Sequence, residues 1–383
     1  MMHIGFLTPE FPHEKTTHAA GIGTSIKNLV TALAHKGVQI SVFVYGQESD
    51  SVFEENGIKI HLIKKRRYSV LTWFFYRKYI QDYLNRFVIS DNINAIEAPD
   101  WTGITAFMNL KAPLVIRFHG SDAYFCKLEK RKQKAKNFWF EKLGVRNATA
   151  FIAPTSFAGK ETAAIFNIRN KEIRTIHYGL NLPQFQNDTP EVFERNLILY
   201  VGTIIRKKGV LELPEILKNV VKEVPEAKLL LIGGDSFDIK TQSSSTWELL
   251  KTSLDDSVAN KVTYLGKVPY QEIQEYIKKA HVCVFPTFAE TLGMVTIESM
   301  AMQKPVVNCN IGWANELIVS GESGYLVHPE NHQEYANKIV NLLNDEDLCK
   351  SIGTLARKRV EDVFDIEDKV NENIMFYSEI IKK

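Results

Sequence analysis

Short apolar runs and amphipathic stretches alternate along almost the whole chain, and this alternation most narrows what it can fold into. Ile4–Thr8 is a short apolar run that reads as a strand. Ile26, Leu29, Val30, Leu33 and Ala34 then recur at helical spacing. Lys36-Gly37 closes that stripe with a cation and a glycine. Val38–Tyr45 is rich in β-branched and aromatic residues and reads as the next strand. Ile93–Ala98, Leu114–Phe118, Ala150–Ala153 and Ile173–His177 follow as strands, with helical stretches between several of them. Asn181–Arg195 carries Pro183 and Pro190, has no clear period and reads as a linker. A second series begins at Leu197, with strands at Leu197–Val201, Leu229–Ile232, Val262–Leu265, Val282–Phe285 and Val306–Asn308. Helical stretches separate them, and the chain ends in three more. Such alternation implies parallel sheets covered by helices on both faces.

The expectation is an α/β protein of two doubly wound, Rossmann-like domains facing a central cleft. At 383 residues the chain is long for one domain and comfortable for two. The first is expected at 1–190 and the second at 191–363, with a helix at about 364–383 packing back on the first. Ligands in such sheets bind outside the carboxyl ends of the strands, here in the cleft. Charge divides along the same line. Residues 1–190 hold 25 Lys and Arg against 16 Asp and Glu, and residues 191–383 hold 22 against 29. No apolar run reaches the length of a membrane span. The N-terminus reads as a buried strand, not a signal peptide. Cys126, Cys283, Cys309 and Cys349 are scattered, without a zinc or disulfide pattern. A cytoplasmic protein is expected.

Four constellations fall at predicted strand ends, and a fifth opens the first long helix. In Phe285–Glu298, a strand stops at Pro286, a loop carries Glu290 and a helix opens near Gly293. The unsatisfied N–H groups around Gly293, Met294 and Val295 suit an anion. Glu298, one turn into that helix, suits the vicinal hydroxyls of a ribose, and Glu290 a sugar hydroxyl. Glu290 reads equally as a solvated loop acid. In Val201–Gly209, Gly202 and Thr203 precede Arg206, Lys207 and Lys208, cations that suit a diphosphate. Arg117–Asp122 places His119 beside Gly120. Ala20–Thr24 opens the first long helix, but Gly21-x-Gly23 lacks the third glycine of a dinucleotide fingerprint. Glu97, Asp100 and Trp101 offer acids and an aromatic to a sugar acceptor, or else a strand cap over a buried tryptophan.

Glu290 and Glu298, seven residues between them, precede SMAMQKPVV and GWANELIVSGESGYLVHPEN. This block resembles the retaining glycosyltransferases of family four, which have the two-domain GT-B fold, and the likeness extends over almost the whole chain. The resemblance implies a metal-independent hexosyltransferase without a cofactor. Its donor would be a nucleotide diphosphate sugar, by default a UDP-sugar, and its acceptor a glycan or lipid-linked hydroxyl in surface polysaccharide or glycoconjugate biosynthesis. It implies that His119 lines the donor-sugar pocket and Gly23 faces the diphosphate. The base lies near Gly234 and Gly266-Lys267-Val268. The family's glycine-arginine pair is here Gly202-Thr203, so Arg206 is expected to replace the arginine. His119, Glu290, Arg206 and Lys208 form the catalytic set.

The competing readings are a sugar phosphorylase or epimerase on the same fold, a nicotinamide-dependent oxidoreductase and a non-catalytic nucleotide-sugar-binding subunit. Two basic stretches with aromatics, Lys64–Lys78 and Lys127–Lys142, suit an anionic membrane surface touched peripherally. They suit equally a polyanionic or lipid-diphosphate acceptor, or a solvated helix face whose aromatics belong to the core. No motif points to nucleic acid.

Overall fold

The alternation becomes two separate sheets in the computed structural model, which describes residues 1–17 and 21–382. The first unit comprises Met1–Gly179 and the C-terminal helix Ile366–Lys382. Its elements run β1 (His3–Thr8), α1 (Gly21–His35), β2 (Gln39–Gln47), β3 (Ser51–Glu55), β4 (Ile58–Lys64), α2 (Thr72–Ser90), β5 (Ala95–Pro99) and β6 (Leu114–Arg117). Then come α3 (Asp122–Leu128), α4 (Ala135–Arg146), β7 (Ala150–Ala153), α5 (Ser156–Phe166) and β8 (Ile173–Thr175). The strand order is β3-β4-β2-β1-β5-β6-β7-β8. All pairs are parallel except β3 with β4. That antiparallel hairpin at the sheet edge turns at Asn56-Gly57, with φ of 50° and 75°, the turn chemistry that two-residue hairpins favour.

Alternate residues of each strand serve opposite faces. Phe6 and Val42 join α1 and the C-terminal helix in one apolar cluster, while Leu7 and Phe43 join α2 in another. Burial of both faces explains why these strands are near-continuous apolar runs.

The second unit spans Leu180–Asp365. It runs β9 (Leu197–Val201), α6 (Leu213–Glu223), β10 (Lys228–Ile232), α7 (Thr246–Thr252), α8 (Asp256–Ala259), β11 (Val262–Tyr264), α9 (Tyr270–Lys279) and β12 (Val282–Phe285). After these come α10 (Met294–Ala301), β13 (Val306–Asn308), β14 (Tyr325–Leu326), α11 (His332–Asn344) and α12 (Glu346–Phe364). The strand order is β11-β10-β9-β12-β13-β14, parallel throughout. The C-terminal helix is α13 (Ile366–Lys382).

The boundary differs from the expected 190/191. Residues 181–195 are not a free linker but part of the second unit. Asn187 Nδ2 donates to Met302 O at 3.1 Å, Arg357 Nη1 donates to Phe185 O at 2.7 Å, and Phe193 stacks on His281 at 4.3 Å. The prolines break periodicity here without preventing packing.

Candidate active site

In the second unit the loops after β9 and β12 are drawn together by a glycine. Gly209 holds φ 71°, and a Cβ there would lie 1.6 Å from Pro286 O. Only glycine allows that approach. Phe288 N–H donates to Lys207 O at 2.8 Å, tying the loops again. Lys208 Nζ thereby reaches Glu290 Oε2 in an ion pair. Glu290 also accepts from Thr291 N–H at 3.0 Å. Lys208 holds the Glu290 carboxyl below its usual range against the opposing effect of burial. Gly293 caps α10 with φ 97°, and a Cβ there would be 3.7 Å from Glu290 Cγ. The acid–lysine pair and the half-buried first turn of α10, at Met294 and Val295, therefore adjoin.

Glu298 lies one turn further on, 5% exposed. Tyr270 Oη donates to its Oε1 at 2.6 Å. With no cation beside it, burial pushes its pKa up to about 7. Gly202 N–H donates to Ile232 O, and Gly234 O accepts from Ile204 N–H at 2.9 Å, so both lie where β9 and β10 end. Thr203 is exposed, and its carbonyl accepts from Tyr200 Oη.

Arg206 departs from expectation. Its Nε and Nη2 donate to the two oxygens of buried Asp238 at 2.8 and 2.9 Å. That bidentate pair commits two faces of the guanidinium to holding the β10–α7 loop. The structure thus pairs Arg206 with Asp238, while its side chain stays 35% exposed.

The first unit also corrects the acceptor assignment. Glu97 is 2% exposed and takes Arg117 Nε at 2.7 Å and Nη2 at 3.0 Å. Tyr377 Oη on α13 donates to Glu97 Oε2 at 2.6 Å. Asn373 Oδ1 accepts from Arg117 Nη2 at 2.6 Å. Glu97 is therefore a structural ion-pair partner. Asp100 is buried too. Its Oδ1 accepts from His119 N–H at 2.9 Å, its Oδ2 has no hydrogen-bond partner among the described residues, and burial raises its pKa to about 7. Trp101 stays exposed.

His119 follows β6 and stacks on Tyr178, whose hydroxyl is 2.8 Å from its Nδ1. Burial, then the charge of Arg117, lowers its pKa to about 3. The ring is neutral near pH 7. Gly23 N–H donates to Glu10 Oε1 at 2.8 Å, and a Cβ there would lie 2.9 Å from Glu10 O, so the position requires close packing against that loop. Ala20, in the same sequence constellation, lies outside the described residues.

Two family models match. One, described as "Glycosyl transferases group 1", matches residues 183–359, and the other, "Glycosyltransferase Family 4", matches residues 19–184. End to end they take up most of the chain. The chain belongs to the group 1, family 4 glycosyltransferases. An uncharacterised glycosyltransferase of Methanocaldococcus jannaschii is 26% identical over 88% of both chains. The capsular polysaccharide biosynthesis glycosyltransferase CapM of Staphylococcus aureus is 32% identical over 54% of both. In structure, sucrose-phosphate synthase of Thermosynechococcus elongatus superposes over the full length of both chains with a TM-score of 0.80 at 20% identity. HepE of Anabaena, solved with UDP, superposes with a TM-score of 0.74 at 17% identity over 99% of this chain and all of its own. The fold is therefore GT-B.

In this glycosyltransferase the second unit gathers Lys208, Glu290, Gly293 and Glu298 from two separate segments. Sequence reasoning missed Tyr270, Asp238, Tyr178 and Arg117. Tyr270 lies 28 residues from its partner and Asp238 lies 32 from Arg206. No linear spacing announces either contact. Arg117 stood inside a quoted motif, and a lone cation in a predicted buried strand was the available signal.

Proposed function

We propose that this glycosyltransferase takes its sugar from a nucleotide diphosphate donor, by default a UDP-sugar. It passes the sugar, with retention at the anomeric carbon, to a glycan or lipid-linked hydroxyl in surface polysaccharide or glycoconjugate assembly. The carrying observation is the Lys208–Glu290 pair beside the first turn of α10. The leaving diphosphate gains negative charge as its bond to the sugar breaks. Lys208 and the N–H groups of Met294 and Val295 stabilise that charge without a metal. Glu290 is left to accept from a sugar hydroxyl. Glu298 takes the ribose hydroxyls, sharing them with Tyr270. His119, neutral and held against Tyr178, serves the donor sugar as a hydrogen-bonding group and not as a strong base. No nucleophile is assigned, so retention follows a front-face course in which a leaving phosphate oxygen takes the acceptor proton.

The UDP bound by HepE and the capsular role in the name of CapM agree with this reading. We place its work at the cytoplasmic face of a membrane, touched peripherally. Lys208→Ala tests the site. Turnover should fall by about 10²–10³, the usual cost of one such donor, with the donor KM little changed. The anomeric configuration of the product, read by NMR, should match that of the donor. Unchanged turnover, or an inverted product, contradicts the proposal.

A further inference from the structure

We propose that a cavity at the amino ends of the second sheet binds a small sugar or polyol carrying one phosphate. The candidate active site lies at the carboxyl ends of β9 and β12, so this is a separate site, and the inference stands independently of the transferase reading.

The cavity measures about 470 Å³ and lies where three strands begin. Arg195 precedes β9, His281 precedes β12 and Lys304 precedes β13, and all three line it. Lys304 is 1% exposed, yet it pairs with no carboxylate among the described residues. Its Nζ has one acceptor, Pro190 O at a long 3.4 Å, and lies 5.3 Å from the centre of the Phe193 ring. Phe193 in turn stacks on His281 at 4.3 Å. Burial, then the charges of Lys304 and Arg195, lower the His281 pKa to about 4, so this ring is neutral near pH 7. Its Nδ1 accepts from Asn196 N–H at 3.2 Å, which puts the ring proton on Nε2. That Nε2–H is buried and has no acceptor among the described residues.

A buried ammonium without a counter-charge and a buried N–H without an acceptor are both costly. One oxyanion supplies what both lack. The remaining lining residues decide its charge and its body. Arg195 is spent on an ion pair with Glu346. That leaves the exposed Lys350 against Glu191 and Asp347. Such a mixed rim opposes a polyanion, while its carboxylates and the Gln303 amide can bind hydroxyls. The volume lies within the roughly 300–1,000 Å³ of small-molecule sites, more than a bare phosphate ion fills. A phosphate monoester of a hydroxylated carbon chain meets every term. Its phosphate takes Lys304 and the His281 Nε2–H, and its hydroxyls meet the rim.

The full chain, in excess UDP, is titrated calorimetrically with glucose 6-phosphate, glycerol 3-phosphate, inorganic phosphate and glucose. Both organic phosphates are expected to bind, inorganic phosphate more weakly and glucose not at all. Lys304→Met should weaken the organic phosphates about ten- to a hundred-fold, the usual worth of a hydrogen bond to a charged group. Without ligand this variant should melt at or above the parental temperature, because it removes an unpaired buried charge and keeps the volume. Lys350 is exposed, so Lys350→Ala folds as the parent does, and it should weaken binding about two- to five-fold. Lys208→Ala, at the other end of the sheet, should leave these affinities unchanged whether or not UDP binds. A failure of UDP to bind therefore counts against the transferase site and leaves this cavity standing. Three results overturn the proposal: no binding of either organic phosphate, inorganic phosphate bound as tightly as both, or parental affinity in Lys304→Met and Lys350→Ala. Loss of binding in Lys208→Ala would move the ligand to the active site and overturn it as well.

Discussion

Glu97 and Glu298 are both buried carboxylates, yet their surroundings give them opposite roles. Glu97 meets a guanidinium and a phenol, so its charge is matched within the protein. Removing it strands the Arg117 charge in the core, which costs about 3–5 kcal/mol. Glu97→Ala should destabilise the first unit by that amount in chemical denaturation, while turnover per folded molecule stays near the parental value. A stable variant with a raised acceptor KM would restore the acceptor role. Glu298 has one hydroxyl partner and no cation, and its pKa rises to about 7 from an ordinary 4.5. The protonated form is favoured in the fold. Its contribution to stability is full below about pH 4.5 and is lost as pH rises through about 7. Glu298→Gln should therefore leave stability little changed at pH 4.5 and raise it at pH 8 by about 3 kcal/mol, from the 1.36 kcal/mol carried by each pKa unit. Ribose hydroxyls favour the charged form, so UDP-sugar affinity should rise from pH 6 to pH 8 in the parent and not in the variant. Calorimetric titration at both pH values checks this, and a flat affinity contradicts it. The placing of Glu290 in a loop after a strand and of Glu298 one turn into the next helix was legible in the sequence. Glu97 was misread because its partners lie on a neighbouring strand and on α13, beyond the reach of any local pattern.

At the scale of elements, strand and helix periodicity located β1, β2, β5 to β13 and most helices within a few residues. The β3–β4 hairpin escaped, although Asn56-Gly57 between two β-rich runs carries its signature. It adds an edge to the sheet. Helix α13 has a larger part. Phe376, Tyr377, Val370 and Ile380 enter one core cluster of the first unit, and Asn373 and Tyr377 hold the Arg117–Glu97 pair. The sheet would otherwise expose this face. Phe376 is fully buried, so Phe376→Ala should cost about 3–5 kcal/mol. Hydrogen exchange should quicken in β1 and β2 and stay unchanged in β9 and β12. Unchanged protection of β1 and β2 would show that α13 does not support that sheet.

At the scale of the molecule, 383 residues are more than one apolar core ordinarily serves. The chain leaves the first unit after Gly179 and returns to it at Ile366. The two halves differ in charge, the first basic and the second acidic. That division was legible from composition, whereas the boundary was not, because prolines in 181–195 imitate a linker while the segment packs. The central claim is that the second unit binds a nucleoside diphosphate through Glu298. Thermal unfolding of the full chain with UDP, GDP, ADP and NAD tests it most directly, since a ligand of the folded state stabilises by mass action, about 2.7 kcal/mol at a hundred times its Kd. The account predicts a saturable rise in melting temperature with UDP that is largely lost in Glu298→Ala. No rise with any nucleoside diphosphate, or a rise with NAD alone, would contradict it.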